Sequence, residues 1–150
     1  MNAFGAHFAE AHVHEETGEI RVPRLLGVYD AGTIINPRLA RSQFMGGMTM
    51  GLSMALHEHA MVDPQFGHVV NHDFAEYHIP VNADIGEIDV IMIPEFDDAV
   101  NPLGIKGIGE LGNVGMSAAV ANAVFHATGV RVRELPIRLE KLLGALAPRT

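Results

Sequence analysis

No cysteine occurs in this chain of 150 residues, which excludes a disulfide, a thiolate zinc site, a cysteine-ligated iron–sulfur cluster and a cysteine nucleophile within it. Positive charge is scarce too: 10 Lys and Arg stand against 18 Asp and Glu, a formal charge of -8. A surface of that sign repels phosphate backbones, so nucleic acid is not an expected partner. Long apolar runs are missing as well. The longest nearly uncharged stretch, Phe44 to Leu56, is broken by Gly46, Gly47 and Gly51 and falls short of the roughly 20 residues a membrane span needs. The first residues have no basic stretch followed by an apolar one, so a secretory signal is not expected there. Cellular location stays open, cytoplasmic or, if carried by a signal-bearing partner, periplasmic.

What is present is the balance of a folded globular chain, 48% hydrophobic and 19% charged, in a length that suits one domain. Phe8 to His14 alternates, with Ala9, Ala11 and Val13 on one face, and Ile20 to Tyr29 resumes the pattern after the turn residues Glu16-Thr17-Gly18. This predicts an N-terminal β-hairpin. Asn36-Pro37 has the chemistry of a helix start, and a long buried helix is expected from there to about His59, with its methionines as core filler. Gly47, Gly51 and Ala55 repeat every four residues along it, leaving a groove for close packing against another element. Further strands are expected over Val69 to Ile79 and Ile88 to Ile93. A glycine-rich loop, Gly104 to Gly115, then leads into C-terminal helices, one over Met116 to Ala127 closed by Gly129 and one opened by Pro136 and running to Leu146. The fold class is α+β.

The glycine loop is the most informative segment, because five glycines in twelve residues let backbone amides approach a ligand closely, with a helix N-terminus following for an anion. Gly107-x-Gly109-x-x-Gly112 also fits the dinucleotide fingerprint, but no strand runs directly into it, which argues against a nicotinamide site. Glu110 lies among glycines and apolar residues, a setting in which partial desolvation suits a general base. Lys106 is placed to offset the charge of a bound phosphate or of Glu110. Gln43, on the second turn of the capped helix, carries an amide that both donates and accepts. Nine histidines raise a metal site, but His57 and His59 diverge by about 200° on a helix and no set of three or four ligands converges, so none is expected.

Tyr29 to Pro37, Ser42-Gln43, Gly46-Gly47, Asn101 to Glu110 and Ala121 to Arg133, in this order and spacing, resemble the C-terminal portion of the molybdenum-binding subunit of the xanthine dehydrogenase and aldehyde oxidase family. The resemblance implies that residues 1–150 are the C-terminal part of a molybdopterin cofactor-binding domain, as a fragment or a split subunit. It implies that Glu110 is the base that readies a water-derived oxygen for the substrate carbon, and that Gln43, Gly107 and Ile108 contact the pterin of the cofactor, molybdopterin in its cytosine dinucleotide form; Lys106 and Gly109 are the other residues expected to bind it. It further implies iron–sulfur and FAD centres on partner subunits, and an upstream portion of the large subunit that completes the site. Glu110 is followed by Leu111-Gly112 where the xanthine-type enzymes usually have Pro-Pro. That departure is similar to the bacterial aldehyde-oxidising branch, so aldehydes are expected before N-heterocycles. The rival expectation is an inactive remnant or a homo-oligomeric scaffold, since an apolar surface lacking its usual cover promotes association.

Overall fold

The computed structural model describes residues 2–146 and has the expected α+β character. Strands β1 (Phe4–Val13) and β2 (Ile20–Asp30) form the hairpin, antiparallel from Phe4 opposite Asp30 to Val13 opposite Ile20, with a register shift between Glu10 and His12. Helix α1 (Pro37–Leu56) follows, and the chain then returns to lay β3 (Glu87–Ile93) parallel to β2, giving the order β1-β2-β3. A parallel neighbour requires a crossover, which α1 and the irregular segment after it supply. Helices α2 (Met116–Thr128) and α3 (Glu140–Leu146) complete the order.

Asn36 caps α1 as its sequence predicts: the side-chain oxygen accepts from the Leu39 amide at 3.1 Å, and Pro37 occupies the first turn, where it forfeits no hydrogen bond. One face of the sheet presents Leu25, Tyr29, Ile88 and Val90 to Phe44, Met48 and Leu52 of α1 and to Met116 and Val120 of α2, and this forms the main core. A second cluster, Val124, Ile137 and Leu142, closes the far end. The other face of the sheet is apolar and open, with Phe4, Phe8, Ile91 and Ile93 exposed.

Several expectations are corrected. β1 begins at Phe4, four residues earlier than the alternation indicates. Helix α1 ends at Leu56, not near His59, because the Ala55 carbonyl accepts from the Ile137 amide at 2.7 Å and is withdrawn from the helical ladder. That same bond holds the chain after Pro136 out of a helix, so α3 starts only at Glu140. The helix is buried on one side only: Met48 is core, whereas Met50 and Met54 are exposed. No strand forms over residues 69–79, where only Val69 makes a single bridge to Val62. Side chains intervene there instead. Asn71 accepts from the Met61 amide and donates to the His59 carbonyl, and the Asp73 carboxylate accepts from the Ala75 amide, so turns replace ladder pairing.

Candidate functional site

The glycine loop leaves the core beside the C-terminal ends of β2 and β3. Gly32, at φ 67°, carries the chain out of β2 and forms an isolated bridge to Ile105, while the Thr33 amide donates to the Gly104 carbonyl at 2.8 Å. A side chain at Gly32 would run into the Gly104 carbonyl, so the glycine is required there by conformation and by space. Asn101 organises the approach: its side-chain oxygen accepts from the Leu103 and Ile105 amides and its amide donates to the Ile105 carbonyl.

At its far end the loop is pressed onto α1. A Cβ on Gly112 would lie 2.6 Å from the Phe44 carbonyl oxygen, one on Gly47 would lie 3.0 Å from the Gly112 backbone, and one on Gly51 would meet the Met116 Cβ at 2.6 Å. The occupant of the small-residue groove of α1 is therefore the end of the glycine loop and the first residue of α2. The start of α2 is packed as well, since a Cβ on Gly115 would strike the His7 imidazole and Met116 is fully buried. The expected helix N-terminus for an anion is consequently covered by the protein's own side chains.

Between these anchors Ile108 and Leu111 turn onto the core, and the loop is open at its glycines. An added Cβ at Gly107 or Gly109 would meet nothing, and neither glycine has a positive φ, so nothing within this chain requires glycine at either position. Glu110 is exposed beside them and is not sequestered among apolar neighbours. Its backbone carbonyl accepts from the Asn113 and Val114 amides at 2.9 and 3.2 Å, which fixes the turn that carries it. Gln43 reaches across from α1 and donates through Nε2 to the Gly109 carbonyl at 2.7 Å. The structure thus brings together Gln43, Gly107, Ile108, Gly109 and Glu110, residues from two separated segments.

Lys106 stands apart from this group. Its side chain is only 5% exposed and its ammonium lies 2.5 Å from Glu95, 3.3 Å from Asp97 and 3.8 Å from Asp30. It is not the surface residue its type suggests. The hydrogen bond it donates to Glu95, ahead of the other carboxylates, holds its pKa above the ordinary lysine value. The three acidic partners escape sequence reasoning because they come from β2 and from the loop after β3, and only pairing of those strands places them side by side.

His7 also escapes it. Its ring stands edge-on to Tyr29, 5.3 Å between centroids, and Tyr29 in turn stacks on Phe44 at 4.1 Å. Burial holds the His7 pKa below the usual histidine value, against the Gly112 and Leu111 carbonyls that favour its charged form. The remaining histidines disperse: His57 lies 3.8 Å from Asp84, His59 is 3.4 Å from Arg138, and His12 is 3.0 Å from Glu10. Among the described residues no three His, Asp or Glu side chains converge as metal ligands. A cavity of about 600 Å³ between the start of β2, the end of α1, residues 83–86 and the segment Ile137 to Glu140 lies away from the glycine loop.

Comparison with known proteins gives a consistent result. Residues 1–86 match the family model described as a molybdopterin cofactor-binding domain. The aldehyde oxidoreductase molybdenum-binding subunit PaoC of Escherichia coli strain K12 is 52% identical over 146 residues, which is 97% of this chain and 20% of that protein. The probable hypoxanthine oxidase XdhD of the same strain is 36% identical over 144 residues, 95% of this chain and 15% of that protein. Among solved structures, the aldehyde oxidoreductase of Desulfovibrio desulfuricans superimposes with a TM-score of 0.84 at 30% identity over 95% of this chain and 15% of that one. Quinoline 2-oxidoreductase of Pseudomonas putida 86 superimposes with a TM-score of 0.87 at 29% identity, covering 99% of this chain and 19% of that chain. The chain spans a fifth or less of the length of these relatives.

Proposed function

Because the chain belongs to the molybdopterin cofactor-binding domain family, we propose that residues 1–150 form part of one cofactor-binding domain in a molybdenum hydroxylase that oxidises aldehydes to carboxylates with oxygen from water. The single observation that carries this reading is the open span of the loop. Gly107 and Gly109 have no neighbour that demands them, so the room they leave suits a ligand lying against the backbone. The chemistry of the donor set fits a pterin: backbone amides and a carboxamide pair with a flat heterocycle whose edge alternates donors and acceptors.

In this reading Gln43, Gly107, Ile108 and Gly109 hold the pterin, and its molybdenum supplies the oxidising centre when the cofactor is bound. The cofactor is molybdopterin cytosine dinucleotide. Gln43 fixes the carbonyl of Gly109, and the next residue, Glu110, holds its carboxylate on a turn stitched by the Asn113 and Val114 amides. A carboxylate so held accepts the proton of the attacking oxygen without first reorganising its backbone. The exposure of Glu110 calls for cover, and an upstream portion of the same subunit provides it and excludes water from the base. Iron–sulfur and FAD subunits carry the electrons away. Aldehydes are the favoured substrates and N-heterocycles the second choice.

The experiment is co-expression with a matching upstream portion, analysis of molybdenum and pterin in the purified complex, and an aldehyde-oxidation assay of wild type and Glu110→Gln. Cofactor retained in both, with activity lost only in the variant, supports the reading. A complex without molybdenum overturns it. The open sheet face bearing Phe4, Phe8, Ile91 and Ile93 favours a second reading, a self-associating scaffold without chemistry. In that case the chain alone forms a defined oligomer in sedimentation, and Phe4→Ser with Phe8→Ser dissolves it.

A further inference from the structure

Buried ammonium groups survive only when paired, and Lys106 is paired three times over by residues remote in sequence. Asp30 is the last residue of β2, opposite Ile93 at the end of β3, and Glu95 and Asp97 follow directly on β3. The lysine therefore bridges the C-terminal ends of two parallel strands, at the point where the loop leaves the core. Its backbone is fixed from the other side by the Gly32–Ile105 bridge and the Thr33–Gly104 hydrogen bond. Past this residue the chain is held by Ile108 and Leu111 against the core, by Gln43 at Gly109 and by Phe44 at Gly112.

We propose that Lys106 is a positioning residue: its clasp on Asp30, Glu95 and Asp97 sets the point and direction in which Gly107 to Glu110 depart, and it acts on the cofactor and the base through that backbone without touching either. A lysine that met a pterin or phosphate directly would have to leave three carboxylates behind, uncompensated in a half-buried cluster. Asp30 is committed as well, since its carboxylate also accepts from the Gly32 amide at 3.4 Å, which joins the lysine cluster to the turn that starts the loop's anchor.

The test compares Lys106→Met, Lys106→Arg and Glu95→Gln with Val124→Ala, a core substitution in the second cluster that lowers stability without contact to the loop. Amide hydrogen exchange is read in the 150-residue chain at Leu111, Asn113 and Val114, whose bonds to the Ile108 and Glu110 carbonyls close the turn of the loop. Loss of the clasp speeds exchange there by about tenfold or more in Lys106→Met, with a smaller rise in Glu95→Gln, recovery in Lys106→Arg and no selective rise in Val124→Ala. In the complex with the upstream portion, Lys106→Met keeps its pterin and loses kcat with KM little changed. Exchange in Lys106→Met no faster than in Val124→Ala overturns the proposal, as does loss of pterin with the loop amides still protected, which marks a direct ligand. The second arm rests on the cofactor reading; wild type that never loads pterin defeats that reading, while the exchange arm still decides the clasp.

Discussion

Gln43 Nε2 donates to the carbonyl of Gly109 over 2.7 Å, so the second turn of α1 is tied to the residue just before the proposed base. The bond spans two segments that share no secondary structure, and it lies at an exposed site where water competes for both groups. Gln43→Ala should therefore cost no more than about 1 kcal/mol of global stability, readable by urea titration. Its local effect should be larger, with faster exchange of the Leu111 and Asn113 amides, which donate to the carbonyls on either side of Gly109, and weaker pterin retention in the assembled complex.

Glycines in this chain divide into those held by neighbours and those that are not, and substitution separates them. Gly112→Ala places a methyl 2.6 Å from a backbone oxygen and Gly51→Ala places one 2.6 Å from the Met116 Cβ, so each should destabilise by about 1–3 kcal/mol through forced displacement. Gly46→Ala has free space and a helical backbone, and it should stabilise by about 1 kcal/mol. Thermal melts of the three variants check both signs.

The Tyr29 hydroxyl is buried without a hydrogen-bond partner, and burial pushes its pKa up to about 12. Tyr29→Phe keeps the ring stacked on Phe44 and removes a polar atom that lost its hydration on folding. The variant should be more stable by about 1 kcal/mol, measured by chemical denaturation. A loss of stability would mean that the hydroxyl serves some polar group when the protein is folded.

Burial lowers the pKa of both His7 and His57 in the folded chain. A base with a depressed folded pKa binds fewer protons folded than unfolded, so protonation favours the unfolded state. Stability should hold above the ordinary histidine value near 6.5 and fall as pH drops from there through the depressed folded values. Unfolding free energies measured between about pH 7.5 and 5 should show this slope. The double variant His7→Gln, His57→Gln should flatten it.

The parts of the fold written in local chemistry were legible in the sequence. Alternation at Phe8 to Val13 and around the Gly18 turn pointed to the hairpin, Asn36-Pro37 marked a helix start, and Gly129, at φ 74°, marked a helix end. The segment after α1 was not, because Val69 and Val70 have strand-forming side chains while the bonds of Asn71 and Asp73 that override them depend on partners ten or more residues away or on turn geometry. At the candidate site the loop, Gln43 and Glu110 stood out by residue type. The surroundings of Lys106 did not, since its carboxylates converge only after β3 pairs with β2, and the burial of α2's first turn under His7 depends on a strand about a hundred residues earlier.

The loop between Gly104 and Gly112 resembles an arch whose abutments are set in the core, one against the chain leaving β2 and the other on Phe44. Ile108 and Leu111 turn from the span onto the core, so Gly107, Gly109 and Glu110 are the positions free to vary in sequence with the rest of the molecule unmoved. A family built on such an arch can exchange one reactive side chain for another at the crown, and so change the chemistry, with no new solution required for the fold beneath it.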